Sequence, residues 1–184
     1  MKSNGAKQPR WPEPDGTPLK LADDEVLLSG PLQSDSIVDG EGLRAVLWTQ
    51  GCRRRCQGCH NPETWDEAGG FIVKIDDIKD QLRAMKGQTG LTFSGGEPML
   101  QAKNLKKIAD WARRELGWNI WSFSGYTHEQ LREAGGNKWA LVKSLDVLID
   151  GPFILPERDL TLRFRGSRNQ RLLRLEEGEI VSVE

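Results

Sequence analysis

The side chains best suited to chemistry are Cys52, Cys56 and Cys59, which share a window of eight residues with Arg53, Arg54, Arg55, Gln57 and Gly58. Thiolates at this spacing can wrap one object. A cubane iron–sulfur cluster is normally held by four thiolates, so three leave one iron open to a substrate. The assembly would be anionic, and the three arginines would offset that charge and favour deprotonated cysteines. Other readings compete. Cys56-Gln57-Gly58-Cys59-His60 fits covalent c-type haem attachment, although that chemistry normally follows export and leaves Cys52 idle. The three cysteines with His60 satisfy the four-ligand demand of structural zinc, although adjacent Cys59 and His60 converge awkwardly on one ion. Three buried free cysteines fit poorly, because Gly and Arg surround them where a core would place apolar residues.

The second candidate is Ser94-Gly95-Gly96-Glu97-Pro98. Glycines let a ligand approach the backbone, and peptide carbonyls with a carboxylate are acceptors suited to an ammonium group. Alone, such a string reads as a strand-to-helix turn. Placed one strand after a three-cysteine loop, it is more specific.

These loops must be positioned by the elements before them. The apolar run 43–48 reads as a buried strand feeding the cysteines, and 91–94 as the strand feeding Gly95. Helices are expected over 75–86, with Ile75, Ile78, Leu82 and Met85 three or four apart, and over 102–116. Further strands are expected at 25–30, 119–124 and 147–149, further helices at 128–134 and 138–145, and a closing hairpin over 171–183. Strand and helix alternate, which implies an α/β protein with a mostly parallel sheet and right-handed crossovers. The chain has 184 residues, fewer than the ~250 of a complete eight-unit barrel, so any barrel is partial and open. The C-terminal end of a parallel sheet is where such folds place ligand chemistry.

Composition bounds the rest. With 26 basic against 27 acidic residues, 37% hydrophobic and 29% charged, the chain is a near-neutral globular protein. That balance argues against nucleic-acid binding, and no window reaches the ~18 apolar residues of a membrane span. The first residues show no signal peptide, so a reducing cytoplasm is expected, which disfavours disulfides. Residues 1–20, interrupted by Pro9, Pro12, Pro14 and Pro18, read as a flexible tail, and 21–184 as a single domain. Arg158, Arg163, Arg165, Arg168, Arg171 and Arg174 form a basic region, either a solvated face or a partner-docking surface. His128 reads as a surface residue at a helix start.

Together the C-x3-C-x2-C loop and Gly95-Gly96-Glu97-Pro98 resemble the radical S-adenosylmethionine superfamily, and within it the activating enzymes of glycyl-radical proteins. The resemblance is nearest to the activators of anaerobic ribonucleoside-triphosphate reductase, over 37–173. It includes Asp39-Gly40-Glu41-Gly42, residues 59–65, Ser124-Gly125-Tyr126, residues 147–151 and Arg165-Gly166-Ser167-Arg168-Asn169-Gln170. His60 is more similar to the pyruvate formate-lyase activators. The resemblance implies a partial, open (β/α) barrel and a [4Fe-4S] cluster on Cys52, Cys56 and Cys59. It also implies S-adenosylmethionine beside Gly58, Cys59 and His60, its ammonium received by Gly95, Gly96 and Glu97 with Pro98 adjoining. Reductive cleavage would give a 5'-deoxyadenosyl radical that takes a hydrogen from a glycine of the partner, with no catalytic residue beyond cluster and cofactor. Cluster potentials reach down to about −700 mV, so a flavodoxin or ferredoxin-type donor is expected. A radical enzyme acting on a small molecule and a zinc-binding interaction module are the competing functions.

Overall fold

The computed structural model describes residues 20–184, so all but the last residue of the expected tail, including Trp11, lies outside the described residues. Nine strands form one mixed sheet. In chain order these are β1 (Glu25–Leu28), β2 (Gln33–Ser36), β3 (Arg44–Thr49), β4 (Phe71–Lys74), β5 (Gly90–Gly95), β6 (Asn119–Phe123), β7 (Val147–Asp150), β8 (Arg171–Glu176) and β9 (Glu179–Val183). Their spatial order is β4-β1-β3-β5-β6-β7-β8-β9, with β2 also pairing with β3.

Parallel pairing is confined to β3-β5-β6-β7; β1, β2, β4, β8 and β9 each pair antiparallel with their neighbours. The expectation of a mostly parallel sheet therefore holds for the middle alone. Parallel neighbours need a crossover, which the helix-bearing connections supply, whereas β8 and β9 are joined by a tight hairpin and the connection 151–170, which holds no α-helix, returns β8 antiparallel to β7. The crossovers carry α1 (Ile75–Ala84), α2 (Ala102–Leu116), α3 (His128–Ala134) and α4 (Gly136–Val142).

The helices pack on one face of the sheet. Ala45 and Leu47 of β3, Leu91 and Phe93 of β5, Ile120 of β6 and Leu148 of β7 meet Ile78 and Leu82 of α1 and Leu105, Ile108 and Ala109 of α2, all buried. Strand alternation sends the intervening residues to the other face, where a smaller cluster of Trp121, Val147, Ile149 and Leu172 packs with Phe123 and Phe164. Arg44 is fully buried, its guanidinium donating to Thr92 Oγ1, Asn119 Oδ1 and the Leu91 carbonyl and lying 5.0 Å from the Trp121 ring. Burial lowers its pKa to about 10.

His128 is a correction. It is buried, with Nε2 2.7 Å from the Gly178 carbonyl and its ring edge-on to Trp139, so it ties α3 to the β8–β9 turn. No helix among the described residues is long and apolar enough to cross a membrane.

Candidate active site

Parallel strands β3 and β5 end side by side, with Trp48 opposite Ser94 and Thr49 opposite Gly95. The cysteine loop leaves β3 and the Gly-Gly-Glu turn leaves β5, so register alone brings the two candidate motifs to one edge. Main-chain bonds fix the approach: the Gly96 amide donates to the Thr49 carbonyl at 2.7 Å and the Glu97 amide to the Gly51 carbonyl at 2.8 Å. Only glycine fits here. A Cβ on Gly96 would lie 2.4 Å from the Gly51 oxygen, and one on Gly95, at φ +91°, 2.7 Å from the Thr49 oxygen.

Glu97 is 2% exposed, yet it is well supplied with donors. Oε1 accepts from the Met99 amide and from Ser124 Oγ, both at 3.0 Å; Oε2 accepts from the Gly125 amide at 2.7 Å. The first bond caps the 3-10 turn Pro98–Gln101, and the others tie the turn to the end of β6. Burial pushes the Glu97 pKa up, against the pull of these donors and of the Arg54 charge. A carboxylate offers about four acceptor positions, so three donors leave one on Oε2.

The cysteine loop is anchored at its ends and open in its middle. The Gly51 and Cys52 amides donate to the carbonyls of Thr64 and Trp65, and Gln50 Nε2 donates to those of Glu63 and Asp66. Between them all three thiols are free and half-buried. The Asn61 amide lies 3.4 Å from Cys59 Sγ, and the nearby amides of Arg54 and Arg55 at Cys52 and of Phe153 at Cys56 favour the thiolate forms. Amides aimed at sulfur suit thiolates that carry a cluster. Burial raises both thiols in the metal-free chain, Cys52 to about 12, so the expected acidification by the arginines is outweighed. Arg53 instead pairs with Glu67, and Arg54 lies 4.1 Å over the Tyr126 ring. Among the described residues no three His, Cys, Asp or Glu side chains converge as ligands of one metal ion.

Cys52, Cys56, Cys59, His60, Gly95, Gly96 and Glu97 all line one cavity of about 590 Å³, within the range of small-molecule sites. Gly58 and Pro98 do not: Gly58 packs under Leu155, and the buried Pro98 opens the 3-10 turn. Asp39, Ser124, Phe153, Phe164, Arg165 and Gln170 are among the other residues of its walls. Gln101, unremarked in the sequence, stitches the region from below. Its Oε1 accepts from the Leu27 amide at 2.7 Å, and its Nε2 donates to the carbonyls of Leu27 and Gln50.

The family described as "4Fe-4S single cluster domain" matches residues 38–173. The anaerobic ribonucleoside-triphosphate reductase-activating protein of Haemophilus influenzae is 36% identical over 144 residues, covering 73% of this chain and 89% of that protein. That of Vibrio cholerae is 36% identical over 142 residues, with the same coverage of both chains. Among solved structures, QueE from Escherichia coli aligns over 56% of this chain and 53% of its own at 14% identity, with a TM-score of 0.47. The chain belongs to the 4Fe-4S single cluster domain family and, within it, to the anaerobic ribonucleoside-triphosphate reductase-activating proteins.

Proposed function

We propose that this protein is a radical S-adenosylmethionine activase that installs a glycyl radical on an anaerobic ribonucleoside-triphosphate reductase. The observation that carries the reading is the convergence of three free cysteines and the Gly95-Gly96-Glu97 turn on one cavity. Cys52, Cys56 and Cys59 hold a [4Fe-4S] cluster, and the amides directed at their sulfurs compensate thiolate charge. Bound together, reduced cluster and S-adenosylmethionine supply a 5'-deoxyadenosyl radical able to take hydrogen from glycine.

The chain's own residues bind and orient. Gly95 and Gly96 present backbone without side-chain obstruction, and the remaining acceptor position of Glu97 takes one N–H of the methionine ammonium. Cys59 and His60 border the same ligand, with Gly58 holding the loop and Pro98 starting the turn that fixes Glu97. The sheet is an open, partial (β/α) barrel whose uncovered face admits a loop of the partner, and residues 21–184 act as one domain. A flavodoxin or ferredoxin-type protein supplies the electron in the cytoplasm, with no nucleic acid or membrane involved.

The test is anaerobic. Wild type carries iron and sulfide and, with reductant and S-adenosylmethionine, produces an EPR doublet on the reductase; Cys56→Ala produces none. Zinc without sulfide would overturn the cluster. A doublet on pyruvate formate-lyase and not on the reductase would reassign the partner.

A further inference from the structure

The segment after β7 is the element that reaches the cysteine loop from farthest away in sequence. A Cβ placed on Gly58, at φ +74°, would lie 2.9 Å from Leu155 Cδ1, so the leucine methyls rest on the backbone between Cys56 and Cys59. Phe153 lines the cavity, and its ring centroid is 5.6 Å from that of His60. Leu155 is itself 38% exposed, so it stands between solvent and the loop.

This strap, residues 151–157, is held by residues 167–170. Gln170 Nε2 donates to the Gly151 carbonyl at 3.0 Å, Asn169 Nδ2 to Pro152 at 2.7 Å and the Arg168 amide to Glu157 at 2.9 Å. The Ile154 amide donates to the fully buried Ser167 Oγ at 3.1 Å. Four bonds from one short block are more than a surface loop needs. They fix the height of Leu155 above Gly58.

We propose that Leu155 is a positioning residue that keeps water off the Cys56–Cys59 side of the cluster, and that Ser167, Asn169 and Gln170 hold it there. The inference rests on the assignment of the three cysteines to the cluster. Reduction adds negative charge, which water stabilises and a methyl group does not, so a shielded cluster has a lower potential and is a stronger reductant. The strap also limits oxygen access from that side.

Wild type, Leu155→Ala, Leu155→Met, Ser167→Ala and Leu160→Ala are reconstituted anaerobically. Iron and sulfide per chain, the midpoint potential by EPR-monitored titration and the bleaching rate of the visible absorbance in air are then measured. Leu155→Ala is expected to load normally, shift the potential upward and bleach several-fold faster. Ser167→Ala moves both in the same direction by less. Leu155→Met restores wild-type values, and Leu160→Ala, an exposed leucine of the following loop, has them throughout. Unchanged potential and bleaching in Leu155→Ala overturn the proposal; if that variant does not load, unchanged values in Ser167→Ala do so. Wild type without iron and sulfide overturns the cysteine assignment itself, a distinct result from a loaded but insensitive cluster.

Discussion

The two loops that meet at the end of β3 and β5 reach order by different routes. Around Glu97 the protein supplies all but one partner: three donors converge on one buried carboxylate, and the backbone is laced to Thr49 and Gly51. The cysteine loop is pinned at Gly51, Cys52 and Gln50, but its thiols stay half-buried and burial keeps Cys52 and Cys56 protonated. On the proposed reading, one loop is preorganised by the polypeptide and the other is completed by metal, whose binding must displace protons from those thiols. A rigid acceptor turn beside such a loop would let the cluster be assembled without disturbing the cofactor pocket.

That contrast can be broken at either side. Replacing Cys52, Cys56 or Cys59 by alanine has the largest effect: iron and sulfide fall to background and glycyl radical formation is abolished. The metal-free unfolding midpoint shifts little, because the loop contributes few packing contacts. Glu97→Ala does the reverse. It strands the Met99 and Gly125 amides and the Ser124 hydroxyl, and at ~1–3 kcal/mol for a buried unpaired group, with incomplete additivity, a loss of roughly 3 kcal/mol is expected in urea unfolding of the metal-free chain. Gly96→Ala sits between the loops. The contact at 2.4 Å is with backbone, so the strand ends must separate; about 1–3 kcal/mol of overpacking strain and weaker S-adenosylmethionine binding, by calorimetry on the loaded protein, are expected.

The smallest effect is a control away from both loops. Arg171 bonds to Glu129 and to the buried Asp150, and the Arg171 hydrogen bond lowers the Glu129 pKa from 4.5 to about 2. A depressed carboxylate contributes stability above its unfolded pKa and loses it as pH falls through the folded value. The difference in unfolding midpoint between wild type and Glu129→Gln should therefore be full above pH 4.5 and vanish towards pH 2. It should be small throughout, since the Glu129 side chain is 62% exposed.

The helices were the most legible part of the fold. In α2, Leu105, Ile108, Ala109 and Ala112 mark one face and Gly117, at φ +68°, ends it, so local spacing and cap agree with the tertiary structure. Strands β2 and β4 carried no such signal. Gln33–Ser36 is polar, and the alternation of Phe71–Lys74 is blurred by Phe71 and Ile72 at 65% and 60% exposure, so only pairing with β1 defines β4. His128 misled because its burial depends on the β8–β9 turn, a partner distant in sequence.

In the site, the cysteines and glycines were readable because their chemistry is local. Gln101, Phe153 and Leu155 were not, because each acts on a loop that only tertiary folding brings near. The arginines expected to offset the cluster charge divided: Arg53 found a carboxylate and Arg54 an aromatic ring. Charge counting reports what is available, whereas geometry decides what each charge meets.

The lacing of Gly96 and Glu97 to Thr49 and Gly51 uses main-chain atoms alone. The distance between the two motifs is therefore indifferent to the side chains, and largely to the length, of the polypeptide joining them. Substitutions in that connection that leave the Thr49 and Gly51 carbonyls in place are therefore expected to keep both halves of the cavity in register, whereas Gly69 and Gly70, packed against Gln50 and Leu28, have no room for a side chain.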